Sequence, residues 1–173
     1  MWCLVVLSIA ILIGMAGQDF RFRAISVWLF FALFVFLGII KVWETSWRML
    51  FLDLGVNAAF LGVQFLCLSI YFSLKQGRWV NIFNEHLGLG DLLFMLVIAG
   101  YLSFYNYVMF YLLSLGICLL IGILISVFKK GFLKSIPLAG MQAMVFAVVL
   151  IISIFDQSLL KSSEFEIVDL IGG

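Results

Sequence analysis

Charge is scarce in this sequence. Only 11% of the 173 residues are charged, whereas 66% are hydrophobic. A soluble domain of this length could not keep so much apolar surface out of water. The formal net charge is only +1, so nothing in the charge balance indicates a nucleic-acid partner. The composition predicts an all-α, polytopic integral membrane protein that sits in the lipid bilayer.

Cysteine and histidine are scarce as well. The chain has one histidine, His86, and three cysteines, Cys3, Cys67 and Cys118, which all lie inside apolar runs. Because no Cys-x-x-Cys pair occurs, a zinc site or a disulfide framework is not expected. We expect no metal and no cofactor, and we interpret the cysteines as small apolar packing residues. His86 is interpreted as a solvated loop residue, with tuning of the nearby Asp91 as the alternative.

Long uncharged runs predict about six transmembrane helices in a single domain, residues 1–173. The runs cover 2–17, 24–40, 54–74, 92–128 and 137–155, and most approach the roughly 20 residues that cross a bilayer. The fourth run would reach about 55 Å as one helix, which is too long for one crossing. We expect it to turn within 101–107, where tyrosines cluster, because tyrosine favours the membrane interface.

The basic residues predict the orientation. With six crossings, the side richer in lysine and arginine faces the cytoplasm. That side receives Arg21, Arg23, Lys75, Arg78, Lys129, Lys130 and Lys134, and the other receives Lys41, Arg48 and Lys161. An alternative interpretation takes the first apolar run as the core of a cleaved signal peptide. The missing basic n-region disfavours this alternative.

Two aspartates stand at the ends of predicted membrane helices, on the side predicted to be cytoplasmic. Asp19 closes the first apolar run, and Asp91 opens the fourth within Gly88-Leu89-Gly90-Asp91. An ionisable group that faces a membrane bundle is a functional-site hypothesis. Two carboxylates that share a proton can hydrolyse a peptide bond: the ionised one activates water, and the protonated one donates a hydrogen bond to the scissile carbonyl. We predict Asp19 and Asp91 as such a catalytic pair.

Each aspartate alone also has a structural interpretation. Gly-x-Gly-Asp before a helix is most often a turn with an N-cap aspartate, and Asp19 alone would serve as a counter-ion for Arg21 or Arg23. Gly88 and Gly90 are predicted supports of the site, because glycine permits a sharp turn and the close approach of a substrate strand.

Two further polar residues lie within predicted helices. Asp53 is expected to be satisfied by Asn57 or Arg48, on the side opposite the aspartate pair. Gln142 is expected either to line the cavity or to bond between helices.

The order and spacing of these residues resemble the type IV prepilin peptidases, the membrane aspartic proteases of the Gly-x-Gly-Asp class. That family has the pattern Asp-x5-Ile-Pro-Asn after its first membrane helix, and here Asp19 and Ile25 are in register. The family motif Gly-x-Gly-Asp-x-Lys-Leu matches Gly88 to Asp91. The family motif Ile-Pro-Phe-Gly-Pro is echoed by Ile136-Pro137-Leu138-Ala139-Gly140, after a basic loop.

The chain also departs from the family motifs. Ser26 and Val27 stand where the family has Pro-Asn, and Leu93 stands where it has lysine. The missing lysine removes a partner for the catalytic pair or for the substrate, which bears on efficiency and substrate choice. Neither departure touches the two carboxylates.

The resemblance implies a short, peptidase-only form of the family, because the cytoplasmic zinc-ligated loop of the larger bifunctional members is missing. It implies an aspartic endopeptidase of the bacterial inner membrane that needs no cofactor and cleaves leader peptides from prepilin-like protein substrates at the cytoplasmic face. One alternative is an inactive family member that acts as a membrane assembly or scaffold protein. A small ion-coupled transporter ranks last, because the acids lie at one side and no internal repeat is visible.

Overall fold

The computed structural model describes residues 2–76, 88–128 and 138–155. Those ranges fold into helices α1 (Trp2–Phe22), α2 (Val27–Glu44), α3 (Trp47–Gln76), α4 (Leu89–Ala99), α5 (Phe104–Phe128) and α6 (Leu138–Phe155). The all-α prediction is confirmed for this part of the chain. His86, Pro137, the whole basic loop before Pro137 and the tail after Phe155 lie outside the described residues.

Four of the helices, α1, α2, α3 and α5, are long and apolar enough to cross a membrane. Helices α4 and α6 are apolar but shorter. With 11 residues, α4 extends about 16 Å at 1.5 Å per residue, against about 30 Å of hydrocarbon. The structure therefore supports a membrane protein with four long apolar helices, and six crossings stay a prediction.

Several helix ends differ from the positions expected from the sequence. Helix α1 continues to Phe22, so Asp19 lies inside the helix rather than after it. Helix α2 continues to Glu44, four residues beyond the end of its apolar run at residue 40. The backbone N–H of Thr45 donates to the carbonyl of Lys41 (2.9 Å) at this end. The turn between α4 and α5 begins at Gly100, next to the predicted tyrosine cluster.

Helix α1 packs most extensively against α6. Its buried residues, Val5, Ser8, Leu12, Met15 and Asp19 among them, recur every three or four positions and therefore form one face of the helix. The facing helix carries buried Ala139, Ala143 and Ala147. Small residues at this spacing let two helix backbones approach closely inside a membrane.

Helix α4 lies in the centre and contacts α2, α3 and α6. The ring of Phe146 in α6 makes edge-to-face contacts with three aromatic rings, with centroid distances of 6.3 Å to Phe94, 6.2 Å to Tyr101 and 5.3 Å to Phe110. Edge-to-face pairs of this kind are stabilising beyond the area they bury. This cluster holds α4 and α5 in place against α6.

Polar contacts tie α3 to its neighbours at the end of the bundle that carries the α4–α5 turn. The buried Asn57 side-chain amide donates to the carbonyls of Ala99 (2.8 Å) and Leu102 (2.9 Å). The ammonium of Lys41, a residue predicted from the sequence to lie on the side opposite the cytoplasm, is 3.0 Å from the carboxylate of Asp53. Lys41 is buried, so this ion pair joins α2 to α3 away from water.

Breaking the Lys41–Asp53 pair is expected to destabilise the protein. Lys41→Met leaves the Asp53 carboxylate without its cation, which should lower the free energy of unfolding by about 3–5 kcal/mol. The double variant Lys41→Met/Asp53→Leu should recover most of that loss, because no buried charge remains. Denaturant unfolding in detergent micelles measures both. A Lys41→Met protein as stable as the wild type would contradict this prediction.

Candidate active site

A cavity of about 1030 Å³ opens where α1 ends and α2, α4 and α6 begin. Both predicted catalytic aspartates line it, together with Gly88, Gly90 and Leu93, so the structure brings the first aspartate and the Gly-x-Gly-Asp motif to one place. The lining residues are Asp19, Arg23, Ala24, Ile25, Val27, Phe30, Gly88, Leu89, Gly90, Asp91, Leu93, Leu115, Cys118, Leu119, Leu138 and Ala139.

Asp19 belongs to the buried face of α1, which turns its side chain toward α6. The residue is 8% exposed, and its Oδ2 accepts a 2.6 Å hydrogen bond from the backbone N–H of Gly140. A bond to a carboxylate is shorter and stronger than one between neutral groups. The Asp19 side chain is therefore held by a main-chain donor from the first turn of α6.

Asp91 lies in the first turn of α4. Gly88 is the N-cap, with extended backbone angles (φ −70°, ψ 130°), and its carbonyl accepts from the Asp91 N–H (3.0 Å). The Asp91 carboxylate in turn accepts from the backbone N–H groups of Gly88 and Ala139. The contact to Gly88 is one half of a capping box, so Asp91 closes its own helix as well as reaching α6.

Neighbouring amides of α6 bind the two carboxylates. Gly140 donates to Asp19, and the preceding residue, Ala139, donates to Asp91. The first N–H groups of a helix have no partner within the helix, and the helix dipole favours negative charge beside them. The N-terminus of α6 therefore supplies main-chain donors to both carboxylates.

The electrostatics of Asp91 follow from this arrangement. Asp91 lies outside the four helices that are long enough to cross a bilayer. Burial raises the pKa of its carboxyl, the negative charge of Asp19 raises it further, and the backbone donors Ala139 and Gly88 lower it, to a net value of about 6. Asp91 is thus able to carry a proton at a pH where an ordinary aspartate has lost it.

The glycines around the carboxylates differ in how closely neighbouring atoms approach the position that a Cβ would occupy. A Cβ on Gly88 would lie 3.1 Å from Asp91 Oδ2, whereas one on Gly90 would meet only Ala139 Cβ at 4.0 Å. A Cβ on Gly140 would lie 2.9 Å from Asp19 Cβ and 3.0 Å from Asp19 Oδ2. Gly140 is therefore the tightest position of the site, and Gly90 has room for a methyl group in this structure.

The remaining lining residues make the cavity largely apolar. Arg23 follows α1 in the left-handed region (φ 52°), with its N–H donating to the Asp19 carbonyl (2.9 Å). Leu93 adds an apolar side chain where the family motif has lysine. Cys118 is buried, as expected of a packing residue, and borders the cavity near Asp91, whereas Cys3 and Cys67 are exposed.

The structure also bears on the predictions for Gln142 and for a metal site. Gln142 is buried in α6 but does not line the cavity, and within the described ranges its side-chain oxygen accepts no hydrogen bond. Among residues 2–76, 88–128 and 138–155, no group of three or more histidine, cysteine or acidic side chains is arranged to hold a metal ion.

Comparison of the chain with family models, with curated proteins and with solved structures found no match. Function is therefore inferred from the geometry of the cavity and from the sequence motifs that line it.

The pKa of Asp91 is expected to depend on the charge of Asp19. Asp19→Asn removes a negative charge near Asp91, so the pKa of Asp91 should fall below about 6, while burial keeps it above the ordinary aspartate value of about 3.9. Infrared titration of the protonated-carboxyl band, assigned by subtracting the Asp91→Asn spectrum, measures this pKa.

Glu44→Gln is the control, because Glu44 ends α2 about 25 Å along the helix from Val27 at the cavity. It should leave the midpoint unchanged. An unshifted midpoint in Asp19→Asn would show that the two carboxylates do not interact.

Proposed function

We propose that this protein is a membrane-interface aspartic endopeptidase with Asp19 and Asp91 as its catalytic pair. The observation that carries the proposal is that both carboxylates line one cavity and accept hydrogen bonds from consecutive amides of α6. A turn or a counter-ion role would explain either aspartate alone. Neither explains why two helices deliver a carboxylate to the same helix N-terminus.

The chemistry needs one proton shared by the pair. The ionised carboxylate takes a proton from a water molecule held between the two side chains, and the oxygen of that water attacks the scissile carbonyl carbon. The protonated carboxyl donates to the carbonyl oxygen as its negative charge develops. Collapse of the tetrahedral intermediate breaks the C–N bond, the amine leaves with a proton, and the pair again holds one proton. The raised pKa of Asp91 supports this shared state.

The cavity supports a peptide substrate rather than a small polar one. Its walls come mainly from Ile25, Phe30, Leu115 and Leu119, which offer apolar contacts to a chain segment but few hydrogen-bonding groups. By the sequence resemblance, the substrates are prepilin-like proteins with short leaders, cut after a glycine just before their apolar segment. Leu93 in place of lysine leaves Arg23 as the cation on the described lining.

We further propose that the single domain, residues 1–173, crosses the bacterial inner membrane about six times, with α4 and α6 adding to the four long helices. The cavity then faces the cytoplasm, because Arg23 lines it and the sequence predicts the other basic segments on the same side. Helices too short for the full thickness would end near the interface, where water reaches the aspartates.

Cleavage of co-expressed leader-bearing pilin-like proteins from the same genome tests the proposal. Asp19→Asn and Asp91→Asn should each remove cleavage, because loss of a general acid or base costs on the order of 10²–10⁴ in rate. Glu44→Gln, an acidic residue at the other end of α2, should cleave like the wild type. The shortened product is measured on immunoblots and its new N-terminus by mass spectrometry.

All variants must reach equal levels in the membrane. Product from the wild type and Glu44→Gln alone supports the peptidase. If Asp19→Asn and Asp91→Asn still shorten the substrate, the pair is not catalytic. If no version shortens any candidate, the assembly or scaffold alternative replaces the peptidase.

A further inference from the structure

Gly140 lies at the closest approach of α6 to α1. A Cβ there would lie 2.9 Å from Asp19 Cβ and 3.4 Å from the carbonyl oxygen of Ala16. The first distance is below what real Cβ atoms show, and its partner is the stiff base of a side chain on a helix. No small rotation of Asp19 would make room, because its Cβ is fixed by the backbone of α1.

The same residue supplies the donor. Its N–H bonds to Asp19 Oδ2 at 2.6 Å, and the side-chain-free Cα is what permits the helices to come close enough for that bond. Ala139, one residue earlier, donates to Asp91. Any change that pushes the first turn of α6 away from α1 therefore alters the positions of both carboxylates together.

This contact is specific to the present chain rather than implied by its motifs. In the family pattern Ile-Pro-Phe-Gly-Pro, the residue in register with Gly140 is proline, which has no N–H to donate. Here the glycine supplies both the hydrogen bond and the space.

We propose that Gly140 is the positioning residue of the aspartate pair, holding Asp19 by its N–H and, through Ala139, setting the distance of Asp91 from it. The inference rests on the proposed function, in which the pair is catalytic. Gly140 does not touch the reacting atoms. It acts by fixing where the two carboxylates stand.

Gly140→Ala, compared with Gly14→Ala, tests this role. Gly14 is exposed on α1, the helix that carries Asp19, and a Cβ there would meet nothing within 4 Å. Gly140→Ala should lower kcat on the order of 10²-fold, since a displacement of about 1 Å from the reactive geometry costs that much. KM should change little, because apolar wall residues such as Phe30 and Leu115 lie on α2 and α5 rather than on α6. Gly14→Ala should keep both constants.

A second readout does not depend on cleavage. In isolated membranes, a water-soluble carbodiimide and an amine label accessible carboxyl groups, and mass spectrometry gives the rates at Asp19 and Asp91 separately. Asp19 is nearly buried in the wild type, so its labelling should be slow. Gly140→Ala should label Asp19 several-fold faster, and Gly14→Ala should match the wild type.

Gly140→Ala is also expected to lower the Tm, and the double variant Asp19→Gly/Gly140→Ala identifies the cause. Removing the Asp19 side chain removes the atoms that the new methyl group would strike. Gly140→Ala should therefore lower the Tm much less in the Asp19→Gly background than in the wild type. Non-additivity of this kind is expected of residues in contact. Membrane level replaces Tm as the readout if Gly140→Ala alone does not accumulate.

Each outcome bears on the proposal. Lower kcat, faster Asp19 labelling and a non-additive cycle support Gly140 as the positioning residue. Cleavage and labelling like those of Gly14→Ala, or losses that simply add in the cycle, overturn it. If the wild type itself cleaves no substrate, the peptidase proposal fails, while the labelling rates and the cycle still decide whether Gly140 positions the pair.

Discussion

The bond between the Gly140 N–H and the Asp19 carboxylate is the contact on which the rest of the site depends. It brings the first turn of α6 against α1, and the alanines at 139, 143 and 147 continue that close packing along the helix. Phe146 on the same helix then receives rings from α4 and α5. One short hydrogen bond at the cavity and one aromatic cluster in the bundle thus set the position of α4, which carries Asp91.

Burying carboxylates among apolar helices is costly, and the structure shows how the cost is limited. A buried charge without partners loses several kcal/mol of hydration. Main-chain N–H groups of Gly88, Ala139 and Gly140 offset part of that loss with charge-assisted bonds. They do not offset it all, since the pKa of Asp91 stays raised at about 6. The pKa of Asp91 is raised because burial and repulsion by Asp19 outweigh the effect of these donors.

The sequence was sufficient for some features and not for others. Apolar runs predicted an all-α membrane chain, and the spacing of Val5, Leu12 and Asp19 places that aspartate on the face that packs inward. Helix ends were harder to predict from the sequence, because α1 and α2 continue past their apolar runs into polar residues. The burial of Lys41 was missed because its partner, Asp53, comes from another helix. Gly140 was seen only as part of a motif, since its role depends on a distance between helices far apart in the chain.

A site whose carboxylates are held by main-chain donors makes few demands on side-chain identity. Position 138 begins α6, and position 139 contributes a backbone N–H. Nearly any residue other than proline supplies that N–H. Position 140 restricts the choice of amino acid most strongly, because a Cβ there would lie 2.9 Å from Asp19 Cβ. As sequences diverge, a geometry of this kind would persist while the surrounding amino acids change. Distant sequences that share it would therefore be recognised by superposing two aspartates and a helix start, rather than by aligning residues.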